Sequence, residues 1–84
     1  MDEGKIAAIK QTAYQMTKIF MEDVDEYVAE CERIYGGGKF TDDEYAVIVS
    51  LCDVYYNVKT GSMTREEAIE KQRELFAGLR VSSI

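Results

Sequence analysis

The sequence predicts an all-α protein of three helices, and three observations carry that prediction. Apolar residues recur three and four positions apart over long stretches, the period of a helix face. Proline is absent and there are only six glycines, so the punctuation of a turn-rich β fold is missing. Thr41 with Glu44 and Thr64 with Glu67 both have the Thr-x-x-Glu spacing of a capping box, which marks a helix start.

The first helix is expected over about residues 3–35. Ile6, Ile9, Ala13, Met16 and Phe20 form an apolar line that resumes at Val24, Tyr27, Cys31 and Ile34. The step from Phe20 to Val24 is four where the alternation wants three, a stutter. A second line of Ala7, Tyr14, Met21, Val28 and Tyr35 runs at sevens beside the first and widens the face. Unbroken, such a helix is roughly 50 Å long at about 1.5 Å per residue. A globule of this chain length is only about 25–30 Å across. The helix therefore either projects onto another chain or breaks. The one candidate break is residues 23–25, where Asp23 can act as N-cap with Glu26 three residues on. No Gly or Pro joins it, and a continuous or gently bent helix is the expectation.

Gly36, Gly37 and Gly38 stop this helix and leave a flexible joint. The second helix starts at the Thr41 box, with Phe40 placed to staple onto Tyr45 or its neighbours, and runs to about Lys59. Tyr45, Ile48, Val49, Cys52, Tyr55 and Tyr56 form one stripe and Val47, Leu51, Val54 and Val58 another. A helix apolar on nearly all sides needs cover on nearly all sides, either at the centre of the fold or at a subunit interface. Gly61 ends it. The third helix opens at Thr64 with Ala68, Ile69, Gln72, Leu75, Phe76 and Leu79 on one face. Residues 80–84 are expected as a frayed tail.

The chain has 84 residues, 46% apolar and 31% charged, which fits one small folded domain, residues 1–84. Histidine is absent, which removes the commonest general base, the commonest metal ligand and the usual pH switch. Ten basic residues against sixteen acidic ones give a net charge of −6, which argues against direct nucleic-acid binding. A chain this short has a modest core and leans on a disulfide, a metal or a partner. Cys31 and Cys52 are not in a CxxC arrangement and read as two buried thiols in a reducing compartment. A disulfide between them requires the two helices to bring them face to face. Two cysteines without histidine do not complete a tetrahedral metal shell. Oligomerisation or partner binding remains as the supplement, and no cofactor is expected.

The start Met1-Asp2-Glu3 has the wrong charge for a signal peptide, and no run approaches the ~20 apolar residues of a membrane span. A cytoplasmic protein with no membrane partner is expected. Gly36-Gly37-Gly38-Lys39 is not a phosphate loop, because a helix precedes it and Phe40 follows the lysine. The segment around Gly61 is not a calcium loop: Tyr56, Val58 and Thr60 stand where the first ligands belong. Catalysis has no nucleophile–base pair to stand on, so no enzyme is expected.

The acidic cluster is more informative. Glu22, Asp23, Asp25, Glu26, Glu30 and Glu32 occur with no basic residue among them. The bland reading is a solvated helix face. The functional reading is a docking face for a basic surface, a row of carboxylates imitating a row of phosphates. Six tyrosines suit half-buried interface positions, or simply a core built with amphipathic aromatics. Tyrosines and helix ends can also line a small-molecule pocket at an oligomer interface. Ser82-Ser83-Ile84 matches a C-terminal PDZ ligand pattern, which is common by chance.

Residues 51–76 carry Lys59, Gly61, Met63, Thr64, Glu66, Glu67, Lys71, Leu75 and Phe76 in an order that resembles the SHOCT module, a short helical hairpin. Ala68 stands where that family usually has a bulky aromatic. The resemblance implies a non-catalytic assembly or oligomerisation role and an origin in phages or mobile elements. In size, charge and lack of catalytic residues the chain also looks like small phage-encoded inhibitors of host defence, anti-CRISPR proteins among them. Two readings follow. The first is an acidic, non-catalytic interaction protein that blocks a basic, nucleic-acid-binding surface through Glu22, Asp23, Asp25, Glu26, Glu30 and Glu32. The second is an assembly module, self-associating as a dimer through Tyr45, Ile48, Cys52, Tyr55 and Tyr56.

Overall fold

The computed structural model describes residues 3–82, which contain no strand. Four helices follow one another: α1 (Glu3–Glu22), α2 (Val24–Gly37), α3 (Asp42–Lys59) and α4 (Arg65–Ser82). The fold is all-α as the spacing predicts, with one helix more than expected.

The extra helix arises at Asp23, which corrects the continuous first helix. Asp23 takes an extended backbone, φ −155° and ψ 106°, between two helical segments. Its carboxylate accepts the Asp25 N–H at 3.1 Å and the Glu26 N–H at 3.3 Å, two donors that a new helix start leaves unmet. Its own N–H still donates to Ile19 O at 2.8 Å and its carbonyl accepts from Tyr27 at 3.0 Å, so one residue serves both helices. The Asp23 N–H is thus already committed, and its cap is one-sided rather than a reciprocal box. The bend turns Tyr27, Cys31 and Ile34 onto the core. The Phe20 and Tyr27 rings meet edge-on across it at 5.1 Å. Val24, expected on the inward line, is instead 55% exposed. The largest dimension of the folded chain is 37 Å, too short for the unbroken helix. Asp23→Ala is expected to cost about 1 kcal/mol, the usual loss for an N-cap carboxylate, with the fold retained. Urea unfolding of the two proteins measures it, and an unchanged midpoint contradicts the cap.

The other boundaries follow the local chemistry. Gly38, at φ 72°, closes α2 in the left-handed region that favours glycine. At Thr41, the hydroxyl accepts the Glu44 N–H at 3.1 Å while the Glu44 carboxylate accepts the Thr41 N–H at 2.9 Å. Glu44 is buried and also pairs with Lys5 at 3.5 Å, which ties the start of α1 to the start of α3. Lys5 lies 5.2 Å over the Phe40 ring at the same corner. After α3, the Gly61 N–H donates to Val58 O at 3.2 Å and the Ser62 N–H to Asn57 O at 2.8 Å, a Schellman close. Thr64 and Glu67 form the second reciprocal box at 3.1 and 2.9 Å. α4 continues through Ser82, past the expected frayed end; residues 83–84 of the PDZ-like pattern lie outside the described residues.

α3 packs on both α1 and α4, while α2 packs on α1. The core joins Ile9, Ala13 and Met16 of α1 to Val47, Ile48, Leu51 and Cys52 of α3 and Leu79 of α4. The nearly all-round apolar α3 is thus covered in large part within the same chain, with Val49 and Tyr56 left exposed. Among the described residues, no helix is long and apolar enough to cross a membrane.

Candidate functional site: the outer face of α2

With Tyr27, Cys31 and Ile34 turned inward, helical spacing decides what the rest of α2 presents. Val24, Val28 and Tyr35, at i, i+4 and i+11, share an adjoining line, and all three are at least half exposed. Asp25 and Glu32, seven apart, lie along the next line and are exposed. Glu26, Glu30 and Arg33 occupy the far flank. Tyr35 rests edge-on against Tyr45 of α3 at 5.1 Å, so a large exposed ring is held in place rather than free to swing. Met21, at the end of α1, is exposed as well.

The six carboxylates of the cluster are not equivalent. Asp23 spends its side chain on capping α2. Glu30 contacts Arg33 directly, and Glu26 lies 4.0 Å from the same guanidinium. Glu22, Asp25 and Glu32 are exposed and make no ion pair among the described residues. The acidic face is thus narrower than the composition suggests, and it carries an apolar stripe. That stripe had a signal in the sequence. Ala7, Tyr14, Met21, Val28 and Tyr35 are the line at sevens expected to widen the apolar face of the first helix, and the structure leaves all five exposed.

The five residues expected to self-associate differ in exposure: Ile48 and Cys52 are buried, Tyr45 and Tyr55 are half-buried and Tyr56 is exposed. Ile48 and Cys52 sit in the monomer's core and have no surface to offer a second copy. Tyr45 donates to Cys31 O at 3.4 Å, Tyr55 donates to Gln72 Oε1 at 3.1 Å, and Tyr56 packs its ring on Phe20 at 5.3 Å. These three tyrosines thus make contacts within the chain.

Where α2 meets α3, Tyr27, Tyr45, Cys31 and Cys52 gather. Both cysteines are free thiols. Burial pushes the Cys52 thiol up, although hydroxyls of Thr17 and Tyr27 favour its thiolate. A thiol held protonated acts as a packing group and a poor nucleophile. Burial, then the nearby Cys52 and Cys31, push the Tyr27 hydroxyl well above the ordinary phenol range. Burial and Cys31 push Tyr45 up to about 12. The folded state keeps these protons where the unfolded chain releases them near pH 10. Their stabilisation is complete below about pH 10 and is lost as the pH climbs toward about 12. Stability is expected to fall over that window, and less steeply in Tyr45→Phe. Urea midpoints across the window test this, and the same slope in both proteins contradicts it.

A recess of about 320 Å³ between α1, α2 and α3 is lined by Thr17, Phe20, Tyr27, Val49, Cys52, Asp53 and Tyr56. Among the described residues, no three Cys, Asp or Glu side chains converge on a point where they could hold a metal ion. The chemistry available at α2 is recognition by charge and apolar contact. No protein-family model matches the chain, and no curated protein or solved structure matches it.

Proposed function

We propose that this is a non-catalytic interaction protein that docks α2 on a basic, nucleic-acid-binding surface of a protein partner and so keeps nucleic acid off it. The observation that carries the reading is the exposed Val24, Val28 and Tyr35 stripe beside the unpaired Asp25 and Glu32. Apolar anchors with a charged border are what a specific interface needs: the anchors hold, and the charges steer and select. A net charge of −6 repels nucleic acid and favours a basic partner. The resemblance of residues 51–76 to the SHOCT module is consistent with the same non-catalytic class. Small phage-encoded inhibitors, such as anti-CRISPR proteins, give the proposal its form.

Capture from a bacterial lysate, read by mass spectrometry, tests it. The expected catch is a basic nucleic-acid-binding protein, recovered at low salt, lost at high salt, and lost with the double variant Asp25→Lys/Glu32→Lys. A catch indifferent to salt and to that variant contradicts the reading.

A further inference from the structure

A cleft of about 580 Å³ runs along the α3–α4 hairpin, with Tyr14 of α1 on its wall. Tyr14, Tyr55, Val58, Ala68 and Ile69 give it an apolar lining, and Lys59, Arg65 and Gln72 supply its polar groups. No lining residue is acidic, in a chain where acids outnumber bases sixteen to ten. Lys59 closes α3 and Arg65 opens α4, so the Gly61 turn sets both cations at one end of the hairpin. Neither makes an ion pair among the described residues. Farther along α4, the Tyr55 hydroxyl donates to Gln72 Oε1 at 3.1 Å, which occupies the amide oxygen and leaves its NH₂ to donate. The Tyr14 and Tyr55 rings meet edge-on at 6.4 Å and stiffen one wall. Ile69, on the apolar face of the helix, is 56% exposed at this cleft.

We propose that this cleft binds an amphipathic organic carboxylate of acyl-chain or aryl type. The carboxylate meets Lys59 and Arg65, and the tail lies against Val58, Ala68, Ile69 and Tyr14. A mostly apolar slot with a few convergent polar groups is the usual form of a small-molecule site, and the volume falls within the range of about 300–1,000 Å³ for such sites. Charge complementarity picks out the anion: two unpaired cations at one end of an apolar slot match a ligand with one charged head and one tail. A helix, about 10 Å across, would rest on such a slot rather than enter it. The site is separate from the α2 face, so either can fail without the other.

Decanoate below its micelle threshold is the probe, titrated by calorimetry and by amide NMR on the full chain, with decan-1-ol and acetate as comparators. The expected result is saturable one-to-one binding with amide shifts at Val58, Ala68, Ile69 and Gln72. Decan-1-ol and acetate each bind at least about tenfold more weakly. Lys59→Gln/Arg65→Gln loses about tenfold or more, while Lys71→Gln, outside the lining, is unchanged. Both variants alter exposed side chains, and their circular dichroism is expected to match the parent. Decan-1-ol binding as tightly as decanoate, an equal loss in Lys71→Gln, or no saturation overturns the proposal. So does a cleft already filled by a second copy, seen as the same amide shifts on raising protein concentration alone.

Discussion

Leu51→Ala is expected to lower stability by about 2–5 kcal/mol. Leu51 is fully buried on α3, the helix that packs on both α1 and α4. Truncating it removes apolar contact on the element the other helices share, and the frame holds the resulting hole open instead of collapsing into it. A domain of this length holds only about 4–13 kcal/mol in total, at roughly 0.05–0.15 kcal/mol per residue. The loss is therefore a large share of what keeps the chain folded, and the melting temperature is expected to fall by about 4–8 °C for each kcal/mol. Val49→Ala, on the same helix but exposed, is expected to stay within about 0.5 kcal/mol. Thermal unfolding followed by circular dichroism makes the comparison. Equal losses at the two positions contradict a central α3.

Asp25→Lys/Glu32→Lys is expected to weaken partner binding at least about 100-fold, equivalent to roughly 2.7 kcal/mol. An exposed ion pair alone is worth about 0.2–1 kcal/mol. At an interface, coupling between close charges reaches about 1.5–7 kcal/mol, and reversal replaces each attraction with a repulsion. General electrostatics is controlled by Glu66→Lys/Glu74→Lys on α4, which changes the net charge by the same amount. Its binding is expected to change by less than about threefold if the contact is local to α2. Tyr35→Ala removes the largest exposed ring of the stripe and is expected to cost about tenfold or more, as aromatic anchors do. Calorimetric titration of the captured partner reads all three. Equal losses in the α2 and α4 reversals contradict a local docking face.

Much of the fold was legible because its signals are local. The boxes at Thr41–Glu44 and Thr64–Glu67, and the glycine stops at Gly38 and Gly61, need only neighbouring residues to act. The break at Asp23 is different. Capping gains about 1 kcal/mol and interrupting the helix costs a similar amount, so local chemistry leaves the choice nearly even. Packing decides it by drawing Tyr27, Cys31 and Ile34 onto the core. That long-range choice also decides that Val24 and Tyr35 face outward, which is why an apolar stripe at the candidate site read as core. The apolar circumference of α3 shows that it must be covered, and the covering elements, α1 and α4, are set by tertiary structure. The carboxylates were visible as a cluster, but their division into capping, paired and unpaired groups depends on where Arg33 and the turn at Asp23 lie.

The most direct test of the α2 docking account is competition on the captured partner. With the partner loaded with labelled nucleic acid, rising amounts of the protein are added and the bound label is followed by fluorescence anisotropy. The account predicts release of the nucleic acid at one protein per site, and no release by Asp25→Lys/Glu32→Lys. A stable ternary complex, with the label retained while the protein binds, contradicts it.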